Sequence, residues 1–338
     1  MTTATIQHGR DIDSLQIGTK PVPEPHTGEV RVRIHAASLN FRDLLIARGL
    51  YPSTRSGPIV PVSDGAGVVD RVGGGVTQFQ PGDRVVVSYM RDWISGPVND
   101  TYGATAHGGE LDGMLTEYIV LPEHSLVPIP ASLSFEEAAA LPCAGITAWN
   151  SLIEAGQLKA GETVLIQGSG GVSVFALQIA ILKGARVIAT SSSDAKLARF
   201  KELGAEFGIN YKTTPDWSAA VLDYTNGSGV DHVVDVGGPD TFSQSLRALR
   251  TGGTLAVVGV LSGVETSLNL LPLLMKQLRL NGIYVGSRQM LSDLIAALDG
   301  GGVKPVIDST FPLSEIARAY RHLASGQHFG KVVIQIGS

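Results

Sequence analysis

An apolar run, Val164-Leu-Ile-Gln167, passes directly into Gly168-Ser169-Gly170-Gly171-Val172-Ser173, and this junction limits the fold more than any other stretch of the chain. Glycines at this spacing let a strand turn tightly into a helix. Gly168 suits the turn itself. Gly170, lacking a side chain, lets a pyrophosphate approach the backbone at the positive end of the helix that follows. The third position of the pattern is Ser173, still small enough for close helix-to-strand packing. A lone glycine pattern is a weak signal, so its surroundings decide its meaning.

Those surroundings alternate. Further strands read at Arg186–Thr190, Phe207–Tyr211, His232–Val236, Gly253–Gly259 and Leu280–Val285, separated by helical stretches such as Val172–Lys183 and Ala195–Leu203. Six strands alternating with helices predict an α/β doubly wound parallel sheet that binds a dinucleotide. The second strand runs into Thr190-Ser191-Ser192-Ser193-Asp194. An acidic residue at the Ser191 position would grip an NAD ribose and repel a 2′-phosphate. Serine hydroxyls with Lys196 one helical step on instead favour NADP(H), with NAD(H) as the alternative. The competing reading is that the serines only cap the next helix. Gly237 ends the fourth strand and Gly259, Val260 and Leu261 end the fifth, where a nicotinamide lies along a sheet's carboxyl edge. Gly286 and Ser287 follow the sixth strand and are expected to close over it.

The first third has a different rhythm. Glu29–His35 alternates charged and aliphatic residues, Gly65–Val72 ends in three glycines, and Pro81–Val87 is a turn feeding a strand. Short strands with polar turns predict a β-rich, barrel-like domain. A long polar segment from Ser88 to Asp112 holds Trp93, Tyr102 and His107 as either a ring-binding surface or a loop anchor. After residue 290, a helix at Leu313–Ala324 and a strand at Lys331–Ile336 return to this first style. Much of the glycine excess, 41 residues where about 24 would be usual, falls at the ends of apolar runs.

With 26 Lys and Arg against 31 Asp and Glu, scattered, the net charge of −5 argues against a nucleic-acid partner. The longest apolar stretch is too short to cross a bilayer. The first residues lack the basic and apolar segments of a signal peptide, and one cysteine excludes an intramolecular disulfide framework. These features together predict a cytoplasmic protein.

The motifs also come in a known order. Asn40-Phe-Arg-Asp43, Arg48-Gly-Leu-Tyr51-Pro52, Asp64-Gly-Ala-Gly67, Leu141-Pro-Cys143-Ala-Gly-Ile-Thr147-Ala-Trp149, Lys201-Glu-Leu-Gly-Ala205 and His328-Phe-Gly-Lys331-Val-Val333 stand about the glycine loop. Over nearly its whole length the chain resembles the medium-chain dehydrogenase/reductase superfamily, on its zinc-independent quinone oxidoreductase and zeta-crystallin side. The resemblance implies a GroES-like catalytic domain at 1–125, a Rossmann domain at 126–289, and a return segment at 290–338 that completes the first domain. It also implies a substrate cleft and a homodimer or homotetramer paired through the last strand of the sheet. Tyr211 and Lys212 would lie near the adenosine phosphate, and Lys331 matches a lysine of the family's closing motif, placed here with the cofactor contacts.

Zinc-dependent members carry Cys, His and Cys as catalytic ligands; the matching positions here are Asn40, Ser63 and Cys143. Amide and hydroxyl oxygens are poor substitutes for thiolate and imidazole, and structural zinc would need four cysteines, so no metal is expected. Cys143 then reads as a small thiol near the nicotinamide rather than a nucleophile. Without a Lewis acid, hydrogen-bond donors must polarise the substrate oxygen. Asn40 is the first candidate, Tyr51 the second, and Thr147 is expected to touch the nicotinamide or its ribose. Asp64 and Asp43 are expected to tie backbone together more than to act chemically. Such a weak acid–base set suits an NADPH-dependent reductase of quinones or α,β-unsaturated carbonyls. A zinc-independent alcohol dehydrogenase or carbonyl reductase is the enzymatic alternative, and a crystallin-like or interaction protein the non-enzymatic one.

Overall fold

The computed structural model describes residues 1–55 and 57–337. The chain divides into two compact units, one comprising Met1–Ile146 with Gly286–Ser338 and the other Thr147–Val285.

In the first unit the Glu29–Ser38 strand is the organiser. Its sequence EVRVRIHAAS buries alternate residues in its first half, as the two-residue period of a strand dictates. It pairs antiparallel with Asp64–Val72, with Tyr118–Pro122 and with Lys331–Gln335, so the tail is built into the centre of this sheet. Among the described residues the sheet has seven strands, closed at its other side by Arg84–Val87 and Leu126–Pro128. Val332 and Ile334 pack with Val32, Ile34 and Val85 in one buried cluster. This is the GroES-like β-rich domain. Because Leu126–Pro128 pairs with Arg84–Val87, strand pairing keeps these residues in the first unit.

Register then sets up the site. Val333 stands opposite Ser38, and Ser38 opposite Asp64. The Leu39 N–H donates to the Val332 carbonyl at 2.9 Å, continuing the pairing by one residue. One step further, Lys331 faces Asn40, and facing residues of an antiparallel pair project to the same side.

The segment 88–112 forms short bridges, Met90 to Ala106 and His107 to Leu111, in place of regular strands. Trp93 is buried, donates its indole N–H to the Gly96 carbonyl and stacks on Tyr102 at 5.8 Å between ring centres. These rings brace the loop.

The second unit is a parallel sheet. Among the described residues its six strands lie in the order Phe207–Asn210, Arg186–Ser191, Thr163–Gln167, Val230–Asp235, Leu249–Val257 and Arg279–Gly282. Numbered along the chain this is 3-2-1-4-5-6, the doubly wound arrangement. Thr163–Gln167 is buried at every position, as a central strand covered on both faces must be. The fifth strand starts at Leu249, four residues before the expected Gly253, because the chain carries the glycine pair as an irregularity in the strand. No helix among the described residues is long and apolar enough to cross a membrane.

Candidate active site

Asn40 caps the N-terminus of the Phe41–Ala47 helix, directly after the central strand of the first unit. Its backbone N–H donates to Asp43 Oδ2 at 2.8 Å, which ties the helix start to the strand end. Its side-chain Oδ1 accepts from Lys331 Nζ at 2.5 Å, and the same ammonium donates to the Leu39 carbonyl at 2.6 Å. Lys331 is 3% exposed and lies 3.9 Å from Asp64 Oδ2. The Asp64 carboxylate in turn accepts from Ser63 Oγ at 2.6 Å and from the Cys143 N–H at 3.1 Å. Burial pushes the Asp64 carboxyl up, against the pull of the Lys331 charge and the hydrogen bonds of Ser63, Asn40 and Cys143. Asn40, Asp64, Cys143 and Lys331 are thus brought together, with Asp64 holding the Cys143 backbone N–H.

Lys331 was placed by motif with the cofactor contacts. Its ammonium is in fact engaged within the first unit, because strand register delivers it to Asn40.

Arg42, one helical residue past Phe41, is buried and donates to the His107 carbonyl at 2.7 Å. Its guanidinium lies 5.1 Å from the Tyr51 ring centre and 4.8 Å from that of Tyr89. Tyr51 therefore packs over a cation while its carbonyl contacts His8 Nε2 at 3.0 Å. Burial lowers the His107 imidazole to about 4, so the ring is neutral, with Nδ1 against the Asp112 carbonyl at 3.0 Å. Burial raises Asp43 to about 6, with the Arg42 charge opposing it. Ser287 caps the Arg288–Gly301 helix, where its hydroxyl accepts from the Met290 N–H at 3.3 Å; Gly286 precedes it in the same unit.

In the second unit the carboxyl ends of the strands line up. Gly168 has φ +67°, a conformation that favours glycine, and its N–H donates to the Thr190 carbonyl at 2.9 Å. Ser169, Gly170, Gly171 and Val172 lead into the Gly171–Leu182 helix, and Ser173 Oγ donates back to the Gln167 carbonyl at 2.6 Å. Ser191 is 2% exposed and its Oγ accepts from the Ser193 N–H at 3.3 Å, so this hydroxyl serves the turn. Ser192 and Lys196 are partly exposed and Tyr211 is exposed beside them, its N–H donating to the Ser191 carbonyl. Thr147 is buried and its carbonyl accepts from Ser151 Oγ. A side chain on Gly259 would strike the Val236 carbonyl oxygen at 2.2 Å, so only glycine lets the fourth and fifth strand ends approach this closely. Val260 and Leu261 follow as exposed apolar residues. The turning glycine, the open helix start and the aligned strand ends fit a dinucleotide.

Asp235 is a part of this half that sequence reasoning missed. Its Oδ1 accepts from the Gly237 and Gly238 N–H groups at 3.0 and 3.1 Å and from Thr241 Oγ1 at 2.7 Å, and its Oδ2 from Ser245 Oγ at 2.6 Å. An acidic residue at a buried strand end before two glycines was the available signal.

Residues 26–131 match the family described as alcohol dehydrogenase GroES-like domain, and residues 171–326 that described as zinc-binding dehydrogenase. A zinc-type alcohol dehydrogenase-like protein of Schizosaccharomyces pombe is 44% identical over 96% of both chains. A solved NAD-dependent alcohol dehydrogenase is 38% identical, with TM-score 0.91 and full coverage of both chains. A quinone oxidoreductase of Pseudomonas syringae pv. Tomato is 30% identical, with TM-score 0.85 and 99% coverage of each. The chain belongs to the medium-chain dehydrogenase/reductase superfamily. It is an NAD(P)H-dependent oxidoreductase of that type.

The zinc of many medium-chain dehydrogenases does not fit the residues present here. Asn40 Oδ1 already faces an ammonium, and Ser63 Oγ donates its proton to Asp64. Burial and the nearby Asp64 carboxylate push the Cys143 thiol well up, which opposes the thiolate a metal needs. Among the described residues no group of three or more His, Cys, Asp or Glu is placed to hold a metal ion.

Proposed function

We propose that this medium-chain dehydrogenase/reductase is an NADPH-dependent, zinc-independent reductase of quinones or α,β-unsaturated carbonyl compounds. The observation that carries this reading is the buried Asn40–Lys331–Asp64 cluster, which offers an amide donor backed by one fixed cation where zinc enzymes place a metal ligand. When bound, NADPH supplies the hydride. Asn40 Nδ2 donates to the acceptor oxygen as negative charge gathers there, its contact with the Ser38 carbonyl being a long 3.4 Å and readily exchanged. In an enone the hydride goes to the β-carbon, the electron pair moves to the oxygen, and solvent returns a proton. A quinone takes hydride and proton to become the hydroquinone. Neither path asks the protein for the strong alkoxide stabilisation that alcohol oxidation requires. The likeness to a quinone oxidoreductase supports the reading, and with it we place the chain on the zeta-crystallin-like branch of the superfamily.

Two of the relatives are named as alcohol dehydrogenase or alcohol dehydrogenase-like, which favours a second reading; with the residues of this site it would be a zinc-independent alcohol dehydrogenase or carbonyl reductase. A panel of quinones, enones, enals, ketones and aldehydes with NADPH, and alcohols with NADP, separates the two. Turnover is expected with quinones or enones, and turnover confined to ketones or alcohols would overturn the first reading. Metal analysis finding about one zinc per chain would overturn the zinc-independent part.

A second copy of this chain is the proposed macromolecular partner. Leu274 and Met275 on the Leu270–Met275 helix are 69% and 75% exposed, next in sequence to the Arg279–Gly282 edge strand of the sheet. Such an apolar patch beside an unpaired edge invites symmetric pairing. Light scattering should read the mass of two or four chains; a single-chain mass would rule this out.

A further inference from the structure

We propose that Lys331 is a positioning residue that fixes which end of the Asn40 amide faces the substrate, an inference that rests on Asn40 being the donor to the acceptor oxygen. The two ends of an asparagine amide have nearly the same shape, so packing alone does not choose between them. Hydrogen-bond chemistry does. A lysine ammonium has three donors and no acceptor, so only Oδ1 can face it. Lys331 Nζ meets Asn40 Oδ1 at 2.5 Å, which leaves Nδ2, the end able to donate, on the side of the Ser38 carbonyl at 3.4 Å and within hydrogen-bonding reach of Asp64.

The ammonium is itself held in place. It donates to the Leu39 carbonyl at 2.6 Å and is balanced by the Asp64 carboxylate 3.9 Å away. At 3% exposure it does not wander into solvent. Its address comes from the antiparallel register, which sets residue 331 across from residue 40 although the two are 291 positions apart. Without Lys331, the Leu39 carbonyl and the Asp64 carboxylate would be left as acceptors beside the amide. The Leu39 carbonyl, newly freed, would draw Nδ2 to the place Lys331 had held and turn Oδ1 to the other side. An Oδ1 placed there presents one lone pair to another and repels an oxygen on which negative charge is building.

A double-mutant cycle tests this. Lys331→Met should lower kcat by about 10-fold and leave the dissociation constant of NADPH, read by nicotinamide fluorescence, within about two-fold. In the Asn40→Ala background the same change should cost kcat nothing further, because no amide remains to be oriented. Equal losses in both backgrounds would overturn the proposal, and so would weakened NADPH binding at unchanged kcat, which would return Lys331 to the cofactor. If Lys331→Met does not fold, Lys331→Gln runs the same cycle, since its amide fills the space and can accept as well as donate. An Asn40→Ala enzyme with full turnover would instead remove the donor reading itself, and Lys331's role with it.

Discussion

Asn40→Ala is expected to lower kcat by about 10²-fold while the NADPH dissociation constant stays within about two-fold. The side chain is 8% exposed, with Oδ1 committed to Lys331, so what alanine removes is the donor Nδ2 together with a buried acceptor. The helix start survives in part, because the bond from residue 40 to Asp43 Oδ2 is made by the backbone N–H. Loss of the Oδ1 acceptor should cost about 1–3 kcal/mol of stability, because the buried Lys331 ammonium keeps the Leu39 carbonyl and the nearby Asp64 carboxylate. Asn40→Asp is a sharper probe, since it keeps the shape but replaces the donor with acceptors beside Asp64. It should fall below Asn40→Ala in kcat. Steady-state kinetics with a quinone acceptor reads both, and a loss confined to the acceptor KM would mean that Asn40 binds the substrate without stabilising the transition state.

Ser191→Asp carries the other large effect. The ratio of kcat/KM for NADPH over NADH should fall by about 10²-fold, since a carboxylate there repels the 2′-phosphate and grips a free ribose hydroxyl. The fold should tolerate it: Ser191 Oγ acts as an acceptor for the Ser193 N–H, a role an aspartate oxygen can take over. With the Ser191 hydroxyl inside the turn, the partly exposed Ser192 and Lys196 and the exposed Tyr211 are the groups we propose for direct contact with the phosphate. Ser191 then acts by not being acidic. An unchanged cofactor ratio would remove it from the specificity determinants.

What could be read in advance was local. The parallel sheet follows from the repeat of apolar strand, glycine turn and helix, each a signal contained in about a dozen neighbouring residues. Thr163–Gln167 and the glycine loop needed nothing from elsewhere in the chain to declare themselves. The glycines at 252 and 253 misled because a residue type that breaks strands is also the one that lets a strand absorb an irregularity. At the site, Asn40 and Asp64 were legible from their motifs, and the tying of Cys143 to Asp64 was within reach of that reading. The contact between Lys331 and Asn40 was not. It depends on which residue of one strand pairs with which of another, and no periodicity within either strand contains that number. Ser287 was read as a cofactor contact from its place after the last strand, yet its hydroxyl caps a helix, a use that a serine at a strand-to-helix junction serves equally well.

The position of Lys331–Gln335 between Ile307–Pro312 and Glu29–Ser38 has a consequence for how the protein is made. On the ribosome Met1–Ile146 emerges before Thr147–Val285, but the sheet of the first unit lacks a central strand until Lys331–Gln335 is translated. The Thr147–Val285 unit, whose strands are contiguous in the chain, has every partner it needs well before then. Translation order and folding order are thus reversed: the unit begun first is the one finished last. Through that interval the edge of Glu29–Ser38 is an open template, and the nascent enzyme has no lysine at its asparagine. Nascent chains stalled between Val285 and Lys331 should therefore hold dinucleotide before they can turn over an acceptor.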